Sequence, residues 1–168
     1  MKNISLIGMM GAGKTYIGDI LGSKFKNFTS VDTDSLVEYH FNMSIPEIFN
    51  QKGEDFFRDA ETHVIKMACE RKNLIISLGG GAFEREENRK ILKETSTVVY
   101  LETSPKTIYE RIKNCKNRPL LKEGFDEDKI TQILKKREKN YKLADFIIST
   151  DKKSVDEIVE EISKVIND

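Results

Sequence analysis

The chain has 168 residues and a mass of 19.3 kDa, enough for one domain with its own core and no reliance on disulfides or structural metal. Lys+Arg and Asp+Glu are both 28, so the formal net charge is zero. That excludes the global basic excess with which nucleic-acid binders displace phosphate counterions, and no apolar run approaches the ~20 residues of a membrane helix.

The N-terminal residues Met1 to Gly8 show neither a long apolar core nor a small-residue cleavage site, so no secretory signal is expected. The two cysteines, Cys69 and Cys115, are too few and too far apart for a disulfide framework or a zinc site. The expected setting is the reducing cytoplasm.

Ile4–Ile7 reads as a short strand covered on both faces. It runs into Gly8-Met9-Met10-Gly11-Ala12-Gly13-Lys14-Thr15, a full match to G-x-x-x-x-G-K-[ST]. The strand before the motif and the helix expected after it make the match specific. Its glycines let the backbone curl, so that successive N–H groups over Gly11, Ala12, Gly13, Lys14, Thr15 and Tyr16 face phosphate oxygens. Lys14 is expected at the β- and γ-phosphates, and the Thr15 hydroxyl on Mg²⁺. The chain has no N/T-K-x-D segment for guanine, and its modest length points to a small-molecule kinase rather than a switch or a motor.

A weaker strand, Phe28–Val31, leads into Asp32-Thr33-Asp34. Two carboxylates at a strand exit suit a ligand, but also a helix N-cap. Ser44 to Glu47 fits a capping box. Phe57-Arg58-Asp59-Ala60-Glu61 follows on a helical stretch. His40 is expected at the surface, His63 partly buried, and Cys69 in a helix core. A strand at Leu74–Leu78 ends in Gly79-Gly80-Gly81, either a plain turn or a place for a ligand at a strand's carboxyl end. Another strand is expected at Val98–Leu101, and Ser104-Pro105 marks a helix start.

Asn114 to Gly124 is polar, aperiodic and broken by Pro119 and Gly124, as expected of a lid or binding loop. Lys135, Lys136 and Lys139 suit a solvated helix face, which leads into Arg137-Glu138-Lys139-Asn140-Tyr141. The last strand is expected at Phe146–Ile148, and each of these apolar runs reads as a strand covered on both faces. Ser154 to Glu157 is a second capping box, opening a helix whose Val155, Ile158, Val159, Ile162, Val165 and Ile166 form one stripe that should lie on the sheet. Strands alternating with helices predict an α/β protein with a parallel sheet.

In this order and spacing, the P-loop, D-x-D, F-R-x-x-E, G-G-G, Arg118-Pro119-Leu120-Leu121 and R-x-x-x-Y elements resemble shikimate kinase, from Ile4 to about Ile162. Each element alone is weak; the ordered set is specific. The resemblance implies a single three-layer αβα domain over residues 1–168. Its five-stranded parallel sheet would carry a P-loop, a mobile lid at about 114–125 and a mobile substrate-binding segment at about 33–61. It implies ATP-dependent phosphorylation of the 3-hydroxyl of shikimate, a step of aromatic amino-acid (chorismate) biosynthesis. A cytoplasmic monomer with small-molecule ligands, and no nucleic-acid or membrane partner, is the form implied.

The resemblance extends to single residues. Arg58 and Arg137 match the pair that holds the substrate carboxylate, for which a planar guanidinium fork is better shaped than an ammonium. Gly79, Gly80 and Gly81 match the substrate-side turn, the last two as backbone contacts. Asp34 matches the residue that binds the acceptor hydroxyls, and Asp32 the one that holds Mg²⁺ through water. Arg118 matches a lid arginine on the γ-phosphate, and Arg111 one stacked on adenine. Lys14, Asp34 and Arg118 are thus the catalytic set. Phe49, Phe57, Pro119 and Leu120 match apolar positions around the ring, with Phe49 and Phe57 expected partly in the core. The family's proline in the last loop has no counterpart near Ser154-Val155. Two other readings stay open: a P-loop kinase of another small acceptor, such as gluconate or a nucleoside monophosphate, and a nucleotide-binding module without chemistry.

Overall fold

Among the described residues, five short strands carry the fold: β1 (Asn3–Ile7), β2 (Thr29–Asp32), β3 (Leu74–Ser77), β4 (Ser96–Glu102) and β5 (Phe146–Ser149). The computed structural model describes residues 2–113 and 126–167. Arg118, Pro119, Leu120 and Cys115, with the rest of the expected lid, lie outside the described residues. The strands form one sheet in the order β2-β3-β1-β4-β5, and every pairing is parallel. β1 and β3 are buried along their whole length, which accounts for their continuous apolar runs.

Among the described residues, eight α-helices connect and cover the strands: α1 (Lys14–Lys24), α2 (Thr33–Phe41), α3 (Ile45–Lys52), α4 (Glu54–Cys69), α5 (Glu86–Thr95), α6 (Pro105–Ile112), α7 (Glu127–Tyr141) and α8 (Val155–Asn167). Their starts follow the local chemistry. The Ser44 side chain and Glu47 make the reciprocal bonds of a capping box, and so do Ser154 and Glu157. Ser104 caps α6 with Pro105 in its first turn.

One apolar layer joins the sheet to α1 and α8, through Leu6, Leu21, Val99, Ile158 and Ile162 among others. A second fills the opposite face, with Ile76, Leu78, Phe83, Tyr100 and Tyr141. The result is the expected three-layer arrangement. A smaller cluster of Val37, Ile48, Phe57, Ala60 and Val64 welds α2, α3 and α4 together, so residues 33–61 have a core of their own. Another, of Met9, Ile108, Ile112 and Ile130, seats the P-loop on α6 and α7.

Two expectations are corrected. β5 and β2 are not covered on both faces: they are the two edges of the sheet, with Phe146 and Ile147 41% and 47% exposed on one and Thr29 exposed on the other. The apolar run of β5 looks the same as that of an inner strand, because composition does not encode place in a sheet. His63 is exposed rather than partly buried, as it lies on the outer face of α4. Its ring instead meets that of His40, an exposed residue of α2, with centroids 5.0 Å apart. Cys69 is half-buried against the second layer. Lys135, Lys136 and Lys139 are exposed, as expected.

Candidate active site

The parallel sheet sets the site's position, since the turns after β1, β2 and β3 all leave from the carboxyl ends of neighbouring strands. The first is the P-loop. Gly8, Gly11 and Gly13 have φ of 142°, 80° and 93°, which a side chain would resist. Space also demands glycine: a Cβ on Gly8 would stand 2.8 Å from the Leu101 carbonyl oxygen, and one on Gly11 2.8 Å from Ile112 Cγ2. Close backbone curvature brings the loop to the first turn of α1, which has no acidic residue to compete with an anion.

Lys14 is buried, and its Nζ donates to the carbonyls of Gly8 and Met9 at 2.9 and 3.0 Å. The ammonium is therefore tethered over the loop. Thr15 and Tyr16 are exposed on the first turn of α1, Tyr16 by 63%. Arg111, on α6, donates to the carbonyls of Ala12 and Gly11 at 3.2 and 3.4 Å, placing its guanidinium at the loop's outer edge.

Asp32 serves both readings of its sequence position. One carboxylate oxygen caps α2 by accepting from the Ser35 N–H, and the other accepts from the Thr15 hydroxyl at 2.7 Å. The turn after β2 is thereby tied to the P-loop. Hydroxyl plus carboxylate is an all-oxygen donor set, which fits Mg²⁺ and not a softer metal.

The acceptor side is assembled from α2, α4, α7 and the turn after β3. Asp34 and Glu61 flank Gly79 so closely that a Cβ there would be 2.6 Å from Asp34 Oδ1 and 2.8 Å from Glu61 Oε1. Both oxygens are buried with no hydrogen-bond partner among the described residues. Two unpaired acceptors at one point fit a ligand that supplies donors, such as hydroxyl groups. Burial is the main force raising the Asp34 pKa, with the Asp32 charge second. Burial also pushes Glu61 up to about 7, against the pull of Arg58.

Glu61 is the residue that the sequence reading left without a role. It is 1% exposed, and its Oε2 accepts from Arg58 Nη1 at 3.0 Å. The i, i+3 spacing within F-R-x-x-E, which puts both on one face of α4, was the available signal. Arg58 also lies 5.1 Å from the Phe57 ring centroid, so its fork is held by both a charge and a ring. Phe57 is buried at 5%, whereas Phe49 is 38% exposed and rests on it with centroids 4.8 Å apart. Only Phe57 is thus a core residue.

The three glycines differ in what they offer. The Gly79 N–H donates to Thr33 Oγ1 at 3.0 Å, so Gly79 supplies room rather than a donor. The N–H groups of Gly80 and Gly81 have no partner among the described residues. A Cβ on Gly81 would be 2.7 Å from Arg58 Nη1, and one on Gly80 3.4 Å from Arg137 Nη1. The turn therefore brings two backbone donors and two guanidinium groups together. Arg58, Gly81 and Arg137 line a cavity of about 500 Å³ along with Glu54, Glu84, Arg85, Ile133 and Lys136. Of the residues predicted from sequence, all but Arg118, Pro119 and Leu120, which lie outside the described residues, fall in the P-loop, on the acceptor side or at their rims.

The chain is similar to known proteins over nearly its whole length. The family model for shikimate kinase matches residues 10–167. A shikimate kinase of Sulfurihydrogenibium is 42% identical over 162 residues, spanning 96% of each chain. One from Persephonella marina is 43% identical and spans 96% of this chain and 97% of its own. The structure of shikimate kinase from Acinetobacter baumannii in complex with shikimate superposes with a TM-score of 0.91 at 36% identity, covering 99% of this chain and 93% of that one. That of Aquifex aeolicus gives 0.84, also at 36%, covering 98% and 96%. With the P-loop, the paired guanidinium groups and the glycine turn placed as described, the chain belongs to the shikimate kinase family.

Proposed function

We propose that the chain transfers the γ-phosphoryl group of ATP to the 3-hydroxyl of shikimate, as an enzyme of aromatic amino-acid biosynthesis. The observation that carries this is the acceptor side: two guanidinium groups and two N–H groups for a carboxylate, beside two carboxylate oxygens for hydroxyls, with neither the N–H groups nor those oxygens partnered among the described residues. Shikimate presents those groups on one small ring.

Phosphoryl transfer passes through a loose transition state, so the protein's work is positioning and charge stabilisation. Arg58 and Arg137 orient the ring through its carboxylate. Asp34 accepts from the acceptor hydroxyl and points its oxygen at the phosphate side. The hydroxyl oxygen forms a bond to the γ-phosphorus, the bond from that phosphorus to the β,γ-bridging oxygen breaks, ADP leaves, and the hydroxyl proton passes to Asp34. Its raised pKa favours receiving that proton. Lys14 neutralises charge on the β- and γ-phosphate oxygens. Thr15, and Asp32 through water, would hold Mg²⁺, which screens the phosphate charges when bound. Arg118 is proposed to act on the γ-phosphate by the resemblance alone, and Pro119 and Leu120 to pack on the ring.

ATP and shikimate are the proposed ligands. No described helix is long and apolar enough to cross a membrane. A coupled ADP-release assay with Mg²⁺-ATP tests the reading against shikimate, gluconate, AMP and CMP. Turnover with shikimate alone is expected. Turnover only with gluconate or a nucleotide overturns it.

A further inference from the structure

The tyrosine of R-x-x-x-Y has no part in the chemistry above, yet it reaches the acceptor turn. Tyr141, at the end of α7, donates its hydroxyl to the Gly80 carbonyl oxygen at 2.5 Å. It is 1% exposed, and its ring lies on that of Tyr100 with centroids 5.0 Å apart. Arg137, one turn earlier on the same helix, lies close enough for its charge to pull the Tyr141 hydroxyl pKa down, against burial. Burial raises the hydroxyl pKa to about 12, so it remains a donor at neutral pH.

The bond fixes more than a carbonyl. The Gly80 C=O and the Gly81 N–H belong to one peptide unit, the peptide bonds are trans, and in a trans unit the two groups point in opposite directions. Glycine on either side gives this unit little resistance to rotation, so an external partner has to set its orientation. With the carbonyl held on the Tyr141 side, the Gly81 N–H turns to the opposite side, and Gly81 itself packs on Arg58, whose Nη1 would stand 2.7 Å from a Cβ there. A donor on the carbonyl also polarises the unit and strengthens its N–H as a donor.

We propose that Tyr141 is a positioning residue for the acceptor: its hydroxyl sets the Gly80–Gly81 peptide so that the Gly81 N–H faces the acceptor's carboxylate beside Arg58. The proposal rests on the reading of the Gly80–Gly81 turn as the carboxylate site. Through α7 it couples two carboxylate donors, since one turn of helix carries both the Arg137 fork and the hydroxyl that aims the amide.

Tyr141→Phe keeps the ring on Tyr100 and removes only the donor. The expected result is a rise of about tenfold in the shikimate KM, the worth of roughly one hydrogen bond, with the ATP KM unchanged and kcat within about twofold. Tyr141→4-aminophenylalanine, which restores an N–H donor on the ring, should bring the KM back to within about threefold. A purely structural role would lower the melting temperature and the active fraction while leaving both KM values in place. An unchanged shikimate KM in folded Tyr141→Phe overturns the proposal. If that variant does not fold, the wild-type Gly81 amide is the second measure. Its exchange with solvent should slow when shikimate is added, and unchanged exchange overturns the proposal. A wild-type chain that does not use shikimate removes the underlying reading; one that does, with an indifferent Tyr141→Phe, removes this proposal alone.

Discussion

The two halves of the site are built in opposite ways. The phosphate side is eight consecutive residues, Gly8 to Thr15, whose backbone makes the cradle and whose only buried charge, Lys14, is tied to the loop's own carbonyls. The acceptor side draws Asp34, Arg58, Glu61, Gly79–Gly81 and Arg137 from four separate parts of the chain, and side chains make most of it. A backbone cradle recognises what all triphosphates share. A set of side chains from distant elements can be changed singly, which suits the half that distinguishes one acceptor from another.

That contrast is open to test. Lys14→Ala should damage both substrates' reaction at the chemical step, with kcat down on the order of a thousandfold. Unaltered turnover in steady-state kinetics would break the assignment of the phosphate side. Arg58→Ala should be felt on one side only: the shikimate KM rises roughly 10- to 100-fold, the worth of a charge-assisted fork, while the ATP KM stays within about threefold. If both constants move together, the halves are not separable and the comparison fails.

The smallest effect concerns the buried Glu61. Its pKa in the folded protein, about 7, is above the ordinary 4.5. The sign follows from that rise: the folded state binds the proton more tightly, so this stability is fully present below about pH 4.5 and is lost as the pH rises through about 7. Glu61→Gln cannot ionise. Thermal melts from pH 5 to 8 should show the wild type losing melting temperature relative to Glu61→Gln, by a few degrees. Parallel curves would mean that Glu61 stays ionised throughout, with Arg58 outweighing burial.

Much of the first half was legible without a structure, because it depends on local rules. Glycines that need positive φ, a capping Ser three residues before Glu, and a proline in a helix's first turn are each satisfied within a few residues of sequence. The strands were legible from β-branched runs, with ends shifted by a residue or two. What failed did so for want of neighbours. Phe146 and Ile147 read as buried until the sheet order put β5 at an edge. His63 was misplaced because one face of α4 looks outward.

By itself, then, the sequence determined the phosphate loop, the alternation of strands and helices and the helix starts, since each is fixed by backbone sterics and by hydrogen bonds between residues close in the chain. Zero net charge was fixed there too, though not that Arg58, Arg85 and Arg137 would line one cavity. Only the tertiary structure decided that Arg58 meets Gly81, that Glu61 and Asp34 share the space beside Gly79, and that Tyr141 holds the Gly80 carbonyl. Those partners are up to 61 residues apart. They meet because a parallel sheet gathers the ends of its strands at one edge, and that order is a property of the whole chain's packing rather than of any segment.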